Sequence, residues 1–213
     1  MTPLVTIVDY GVGNLRSVAR AVAACGATAR LSASPDDIAA ADRVVLPGVG
    51  AFGNCVAAMQ ACGFVDAVRS FVAAGRPLLG ICVGMQMLLD TSEEFGAHAG
   101  LGFVPGRVLA VPKTGADGLP HKIPHIGWSD LLPVRNDWKG TIMTGIAPRT
   151  PCYFLHSFAA VPDRAVDRLA DCRYDGIDIC AAIAKDNVSG VQFHPEKSGP
   201  AGLKILENFV FRT

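Results

Sequence analysis

Residues 77–90 read PLLGICVGMQMLLD. The opening run, Pro77–Ile81, is short and apolar, as in strands buried on both faces of a sheet. The closing run predicts a helix from Gly84 to Asp90. Between them stands Gly80-Ile81-Cys82-Val83-Gly84. This is the G-x-[S/C]-x-G pattern of a nucleophile elbow, in its strand-turn-helix setting. The turn is sharp, and side chains at positions 80 and 84 would crowd it. The Cys82 sulfur is thereby pushed out at a helix N-terminus, where the dipole favours thiolate over thiol. The plainer reading of Cys82 is one more small buried residue, as free cysteines usually are.

Outward from this stretch, short apolar runs alternate with helical patterns. Leu4–Asp9 and Arg43–Leu46 read as buried strands. Asn14 stands where an N-cap belongs, before apolar residues at helical spacing, and Gly26 follows where a C′ glycine belongs. Phe52–Gln60 and Phe64–Ala74 read as helices, and Gly75 ends the second. Such alternation predicts an α/β fold with a mostly parallel central sheet flanked by helices. Ligands on these sheets bind beyond the carboxyl ends of the strands. The second half is richer in Gly, Pro and Asp. Its runs Arg107–Val111, Tyr153–Ala160 and Asp178–Ile183 predict antiparallel additions to the same sheet. Val188–Phe193 reads as a late strand and Leu203–Phe211 as a closing helix. No linker or repeat interrupts the chain, so residues 1–213 are expected to form one domain.

Composition narrows the function classes. The 213 residues are 50% hydrophobic and 18% charged, with 19 basic and 19 acidic side chains. The absence of a basic run argues against nucleic acid as a partner. The seven cysteines are odd in number and never spaced C-x-x-C. That pattern disfavours a disulfide framework, a zinc ribbon and a thioredoxin-like site. The N-terminus lacks a signal-peptide pattern, and the most apolar region is broken by Arg76, Pro77 and Gln86. A soluble, cytoplasmic chain is expected, with no membrane association, no metal and no cofactor.

A nucleophile needs a base. Gln192-Phe193-His194-Pro195-Glu196 closes the late strand, and Pro195 forces the chain to turn there. His194 and Glu196 are two residues apart, so in extended chain they point to one side. Glu196 can then hold the imidazole of His194 in one tautomer. His194 can take the thiol proton and later deliver a proton to a leaving amine. This is the logic of a catalytic triad built from Cys, His and Glu. A lone histidine is more often structural, and His98, His121, His125 and His156 are read that way for catalysis. Pro47-Gly48-Val49-Gly50 follows a strand, and its glycines leave backbone free to aim an N–H at an oxyanion. The Val83 N–H would be the second donor. By itself, PGVG reads first as a tight turn. No phosphate-binding G-x-x-x-x-G-K-[S/T] pattern accompanies it.

With these pieces located, the chain resembles the class I glutamine amidotransferases. The motifs GICVGMQ (80–86) and FHPEKS (193–198) carry that resemblance. DYGVGN (9–14), PGVGAFG (47–53), PHIGW (124–128) and YFLHSF (153–158) make it similar to the glutaminase subunits of imidazole glycerol phosphate synthase. The resemblance implies a flavodoxin-like fold and a Cys82–His194–Glu196 triad. It implies an oxyanion hole at Val49, Gly50 and Val83. Glutamine contacts are implied at Gln86 and Glu94, helped by backbone around Gly48, Gly50, His156 and Ser157. It further implies a (β/α)8-barrel cyclase as partner in a heterodimer, facing Asn14, Trp128, Tyr153 and Lys197 and receiving ammonia through a tunnel. Two positions depart from the family pattern: Ser129 stands where Asn is usual, and Phe158 where Tyr is usual. Two alternatives stay open at this level. One is a glutaminase serving another pathway. The other is a catalytically silent flavodoxin-like binding module.

Overall fold

The computed structural model describes residues 2–134 and 137–212. The first half lays down β1 (Leu4–Val8), α1 (Leu15–Ala24), β2 (Thr28–Ser32), α2 (Asp36–Ala39) and β3 (Arg43–Gly48). It continues through α3 (Phe52–Ala61), α4 (Phe64–Ala73), β4 (Leu78–Cys82) and α5 (Val83–Gln86). The second half runs β5 (Leu89–Ser92), β6 (His98–Ala99), β7 (Val104–Ala110), β8 (His125–Pro133) and β9 (Pro151–His156). It closes with β10 (Phe158–Pro162), β11 (Arg168–Tyr174), β12 (Ile177–Lys185), β13 (Val188–Val191) and α6 (Gly199–Phe211).

Nine strands form the main sheet in the order β2-β1-β3-β4-β13-β12-β11-β8-β9. The five from β2 to β13 are parallel, and the remaining pairings are antiparallel. The expected α/β architecture is therefore present. Strand β4 lies inside the parallel half with all five of its residues buried. Leu78, Leu79 and Ile81 each contribute roughly 1.5–3 kcal/mol by leaving water. α1 turns Val18, Ala21 and Val22 inward, at the helical spacing legible in its sequence.

Three expectations need correction. Arg107–Val111 does not join the main sheet: β7 belongs to a second, four-stranded sheet of order β10-β7-β5-β6. Tyr153–Ala160 is likewise two strands. The chain leaves the main sheet after His156, and Phe158 begins pairing with Ala110 of β7. The apolar alternation runs unbroken across the crossing because either sheet satisfies it. The helix expected from Gly84 to Asp90 is a single turn ending at Gln86. Beyond it, backbone N–H groups of Gly100, Leu101, Phe103 and Val104 bond the carbonyls of Asp90, Met87 and Leu88. Those tertiary bonds tie residues 87–90 to the returning segment 100–104, where strand β5 begins at Leu89. Asn14 does occupy the N-cap position of α1, but its side chain makes no capping bond. It lines a cavity instead.

Candidate active site

The elbow is built as its glycines require. Cys82 ends β4 with φ +55° and ψ −115°, a strained backbone for a non-glycine residue. A Cβ on Gly84 would lie 1.9 Å from the Leu46 carbonyl oxygen, and one on Gly80 would lie 2.6 Å from that of Gly84. Strand, turn and helix can close this tightly only without those atoms. Gly48 pairs in register with Cys82, and a Cβ there would sit 2.7 Å from the Gly84 nitrogen and 3.1 Å from the Tyr10 hydroxyl. That hydroxyl donates to the Pro47 carbonyl at 2.6 Å, pinning the base of the PGVG loop.

Beyond the carboxyl end of β4 opens a cavity of about 280 Å³. It gathers Cys82, His194, Val49, Gly50, Val83, Gln86, Glu94, His156 and Ser157, together with Asn14 and Lys197 from the expected partner face. Gly48 does not line it and lies beneath as packing support. Trp128 and Tyr153 also lie outside it, side by side on β8 and β9, ring centroids 6.0 Å apart. The Lys197 ammonium sits 5.7 Å from the Tyr153 ring. Ile126, Trp128 and Leu155 are exposed on these two strands and form an apolar face beside the cavity mouth.

His194 stands beside both Cys82 and Glu196. Its Nδ1 lies 3.0 Å from Glu196 Oε1, and Cys82 lines the same cavity wall close enough to act on its charge. Burial pulls its pKa down, but Cys82 and Glu196 together outweigh burial and raise it to about 9. The Glu196 side chain is 1% exposed, and its Oε2 has no hydrogen-bond partner among the described residues. A buried carboxylate so sparsely bonded is costly unless its one partner carries charge, which a protonated His194 supplies. α5 has only four residues, so no long helix dipole stands behind Cys82.

Two side chains behind the cavity wall were not singled out from sequence. Gln192, fully buried, donates from Nε2 to Cys82 Sγ at 3.7 Å. Its Oε1 accepts from Gln86 Nε2 at 3.0 Å. Gln86 also donates to the Phe158 carbonyl at 2.9 Å, so both its amide hydrogens are engaged and only its oxygen remains for a ligand. His125 is the second, hydrogen-bonded to His156 at 3.0 Å. Glu94 Oε2 accepts from the Phe52 N–H at 2.7 Å, which fixes its carboxylate at the cavity edge.

A cysteine elbow, an imidazole and a carboxylate bonded to it stand together at the end of a mostly parallel sheet, an α/β arrangement with the parts that cysteine-nucleophile hydrolysis needs. The family model for glutamine amidotransferase class-I matches residues 6–213. An imidazole glycerol phosphate synthase subunit HisH 1 of Legionella pneumophila (strain Lens) is 49% identical over 208 residues, spanning 97% of this chain and 98% of the relative. The HisH subunit of Syntrophotalea carbinolica is 44% identical over 97% of this chain and 98% of the relative. That of Geobacillus thermodenitrificans is 41% identical over 97% and 95%. Among solved structures, PurLQS from Thermotoga maritima matches with a TM-score of 0.70 at 20% identity, covering 99% of this chain and 98% of that one, a likeness of fold alone. The chain belongs to the class I glutamine amidotransferases, in the family of HisH subunits of imidazole glycerol phosphate synthase.

Proposed function

We propose that this chain is the glutaminase subunit of an imidazole glycerol phosphate synthase, with Cys82, His194 and Glu196 as its catalytic residues. The observation that carries the assignment of residues is the imidazole of His194, which shares one cavity with Cys82 and bonds the buried Glu196 through Nδ1 at 3.0 Å. Glutamine's side-chain amide sits over Cys82. The sulfur attacks the amide carbon, and backbone N–H groups at Val49, Gly50 and Val83 receive the oxyanion. His194 gives its proton to the departing ammonia, and a thioester remains. Water then cleaves the thioester to glutamate and restores the thiol. Oxyanion donors of this kind are commonly worth about 100- to 1000-fold in rate each. Gln86 and Glu94, with backbone at Gly50, His156 and Ser157, hold the amino-acid end. Both ring nitrogens of His156 are engaged within the protein, which supports a backbone role for that residue.

Ammonia serves a cyclase subunit, in histidine biosynthesis. We assign that partner a (β/α)8-barrel, a heterodimer with this chain, and an ammonia tunnel between the two. The apolar face at Ile126, Trp128 and Leu155, with Tyr153, Lys197 and Asn14 beside it, supports docking over the cavity mouth. Among the described residues no single helix is long and apolar enough to cross a membrane; we place the complex in the cytoplasm.

The test is glutamate release by wild type and by Cys82→Ala, each with and without a cyclase subunit and its nucleotide substrate. Wild-type activity raised by the cyclase, and none in Cys82→Ala, is the expected result. Activity indifferent to the cyclase would move the chain to another amidotransferase pathway. Retention of activity in Cys82→Ala would remove the nucleophile assignment.

A further inference from the structure

A chain of hydrogen bonds leads away from the cavity wall into β8. His156 Nδ1 lies 2.9 Å from the Phe158 carbonyl oxygen. A carbonyl only accepts, so His156 carries its hydrogen on Nδ1 and leaves Nε2 as a lone pair. His125 Nδ1 lies 3.0 Å from that lone pair and must therefore be a donor. His125 Nε2 is then the acceptor for the Ser129 hydroxyl at 2.9 Å. One carbonyl thus sets the tautomer of two histidines. Burial pulls the pKa of both down to about 4, so each is neutral at physiological pH. The His125 ring is held in plane by stacking on Tyr174 at 4.1 Å and on Phe154 at 5.0 Å.

The far end of this chain is the wall that faces the nucleophile. The Leu155 carbonyl lies 3.9 Å from Cys82 Sγ. The Ser157 carbonyl accepts from the Val111 N–H at 2.9 Å. The Phe158 carbonyl receives both His156 and Gln86. Here the chain passes from one sheet to the other, and no ladder is continuous across the passage. Residues 156 and 158 therefore belong to different ladders, and the side-chain bonds of His156 and Gln86 to the Phe158 carbonyl tie the two together.

We propose that His125, which does not line the cavity, is a positioning residue for glutamine binding: its Nδ1–H holds His156, and through it the backbone of residues 156–158 that walls the pocket. This rests on the glutaminase reading above. His125→Phe keeps the stacked ring and deletes the donor. His125→Asn returns an amide donor close to the place of Nδ1–H. Two quantities are measured: kinetic constants for glutamate release, and protection of Cys82 from iodoacetamide by glutamine. His125→Phe should raise KM about tenfold with kcat within about twofold, and weaken protection in parallel. His125→Asn should stay within about threefold of the wild-type KM. If His125→Phe does not fold, Ser129→Ala tests the same chain, since it frees the second nitrogen of His125. A KM rise of about threefold at constant kcat is then expected. An unchanged KM in His125→Phe overturns the proposal, as does an equal defect in His125→Phe and His125→Asn. An unchanged KM in Ser129→Ala overturns it where His125→Phe is lost. Wild type that neither releases glutamate nor shows glutamine protection fails the glutaminase reading itself, and this inference falls with it.

Discussion

Gln192 reaches the Cys82 sulfur without lining the cavity. Its amide orientation is dictated by Gln86, which uses both hydrogens as donors and so must meet an oxygen. The Gln192 NH₂ is left facing Sγ. Hydrogen bonds to a charged group are worth about 1.5–3 kcal/mol. Replacing Gln192 by Met keeps the length and removes the donor. We expect kcat for glutamate release to fall about tenfold with little change in KM, since no cavity-lining atom is lost. Equal losses in kcat and 1/KM would instead mark a collapsed pocket. The proposed triad was legible because its parts are local: an elbow of five residues, and a histidine two positions from its carboxylate. Gln192 stands in that same short run, yet nothing in its spacing says that its amide turns toward the sulfur. His125 and His156 lie 31 positions apart. Only the pairing of β8 with β9 sets them opposite each other.

At the scale of elements, the elbow is a packing problem before it is a catalytic device. Gly84 lets α5 settle onto the end of β3, against the Leu46 carbonyl. Gly84→Ala cannot relieve that contact by a rotamer change, because the clash is with backbone. It should lower the unfolding free energy by about 3 kcal/mol or more, read as a lower urea midpoint at unchanged slope. The parallel strands were legible because strands buried on both faces are written as apolar runs. The second sheet was not, since β7 and β10 alternate just as antiparallel strands of the main sheet would. The short α5 was illegible for a related reason. Met87, Leu88 and Leu89 are apolar enough for helix or strand, and the choice was made by the returning segment 100–104.

For the whole molecule, the buried histidines set the response to pH. His125 and His156 are held near 4, against about 6.5 in an unfolded chain. On acidification the unfolded chain takes up their protons first. Their contribution is complete above about pH 6.5 and is lost as pH falls toward 4. His194 runs the other way: raised to about 9, it contributes fully below about pH 6.5 and loses that contribution as pH rises through 9. Urea midpoints at pH 4.5, 6.5 and 9.5 should therefore be highest in the middle. His194→Gln should flatten the alkaline side and leave the acid side intact. The positive φ of Cys82 has a consequence over longer times. Glycine adopts that backbone without strain, so the substitution that most relaxes the elbow is also one that erases the proposed nucleophile. Selection for robustness alone would drift the fold toward an inert relative, and the thiol persists only where the reaction is needed.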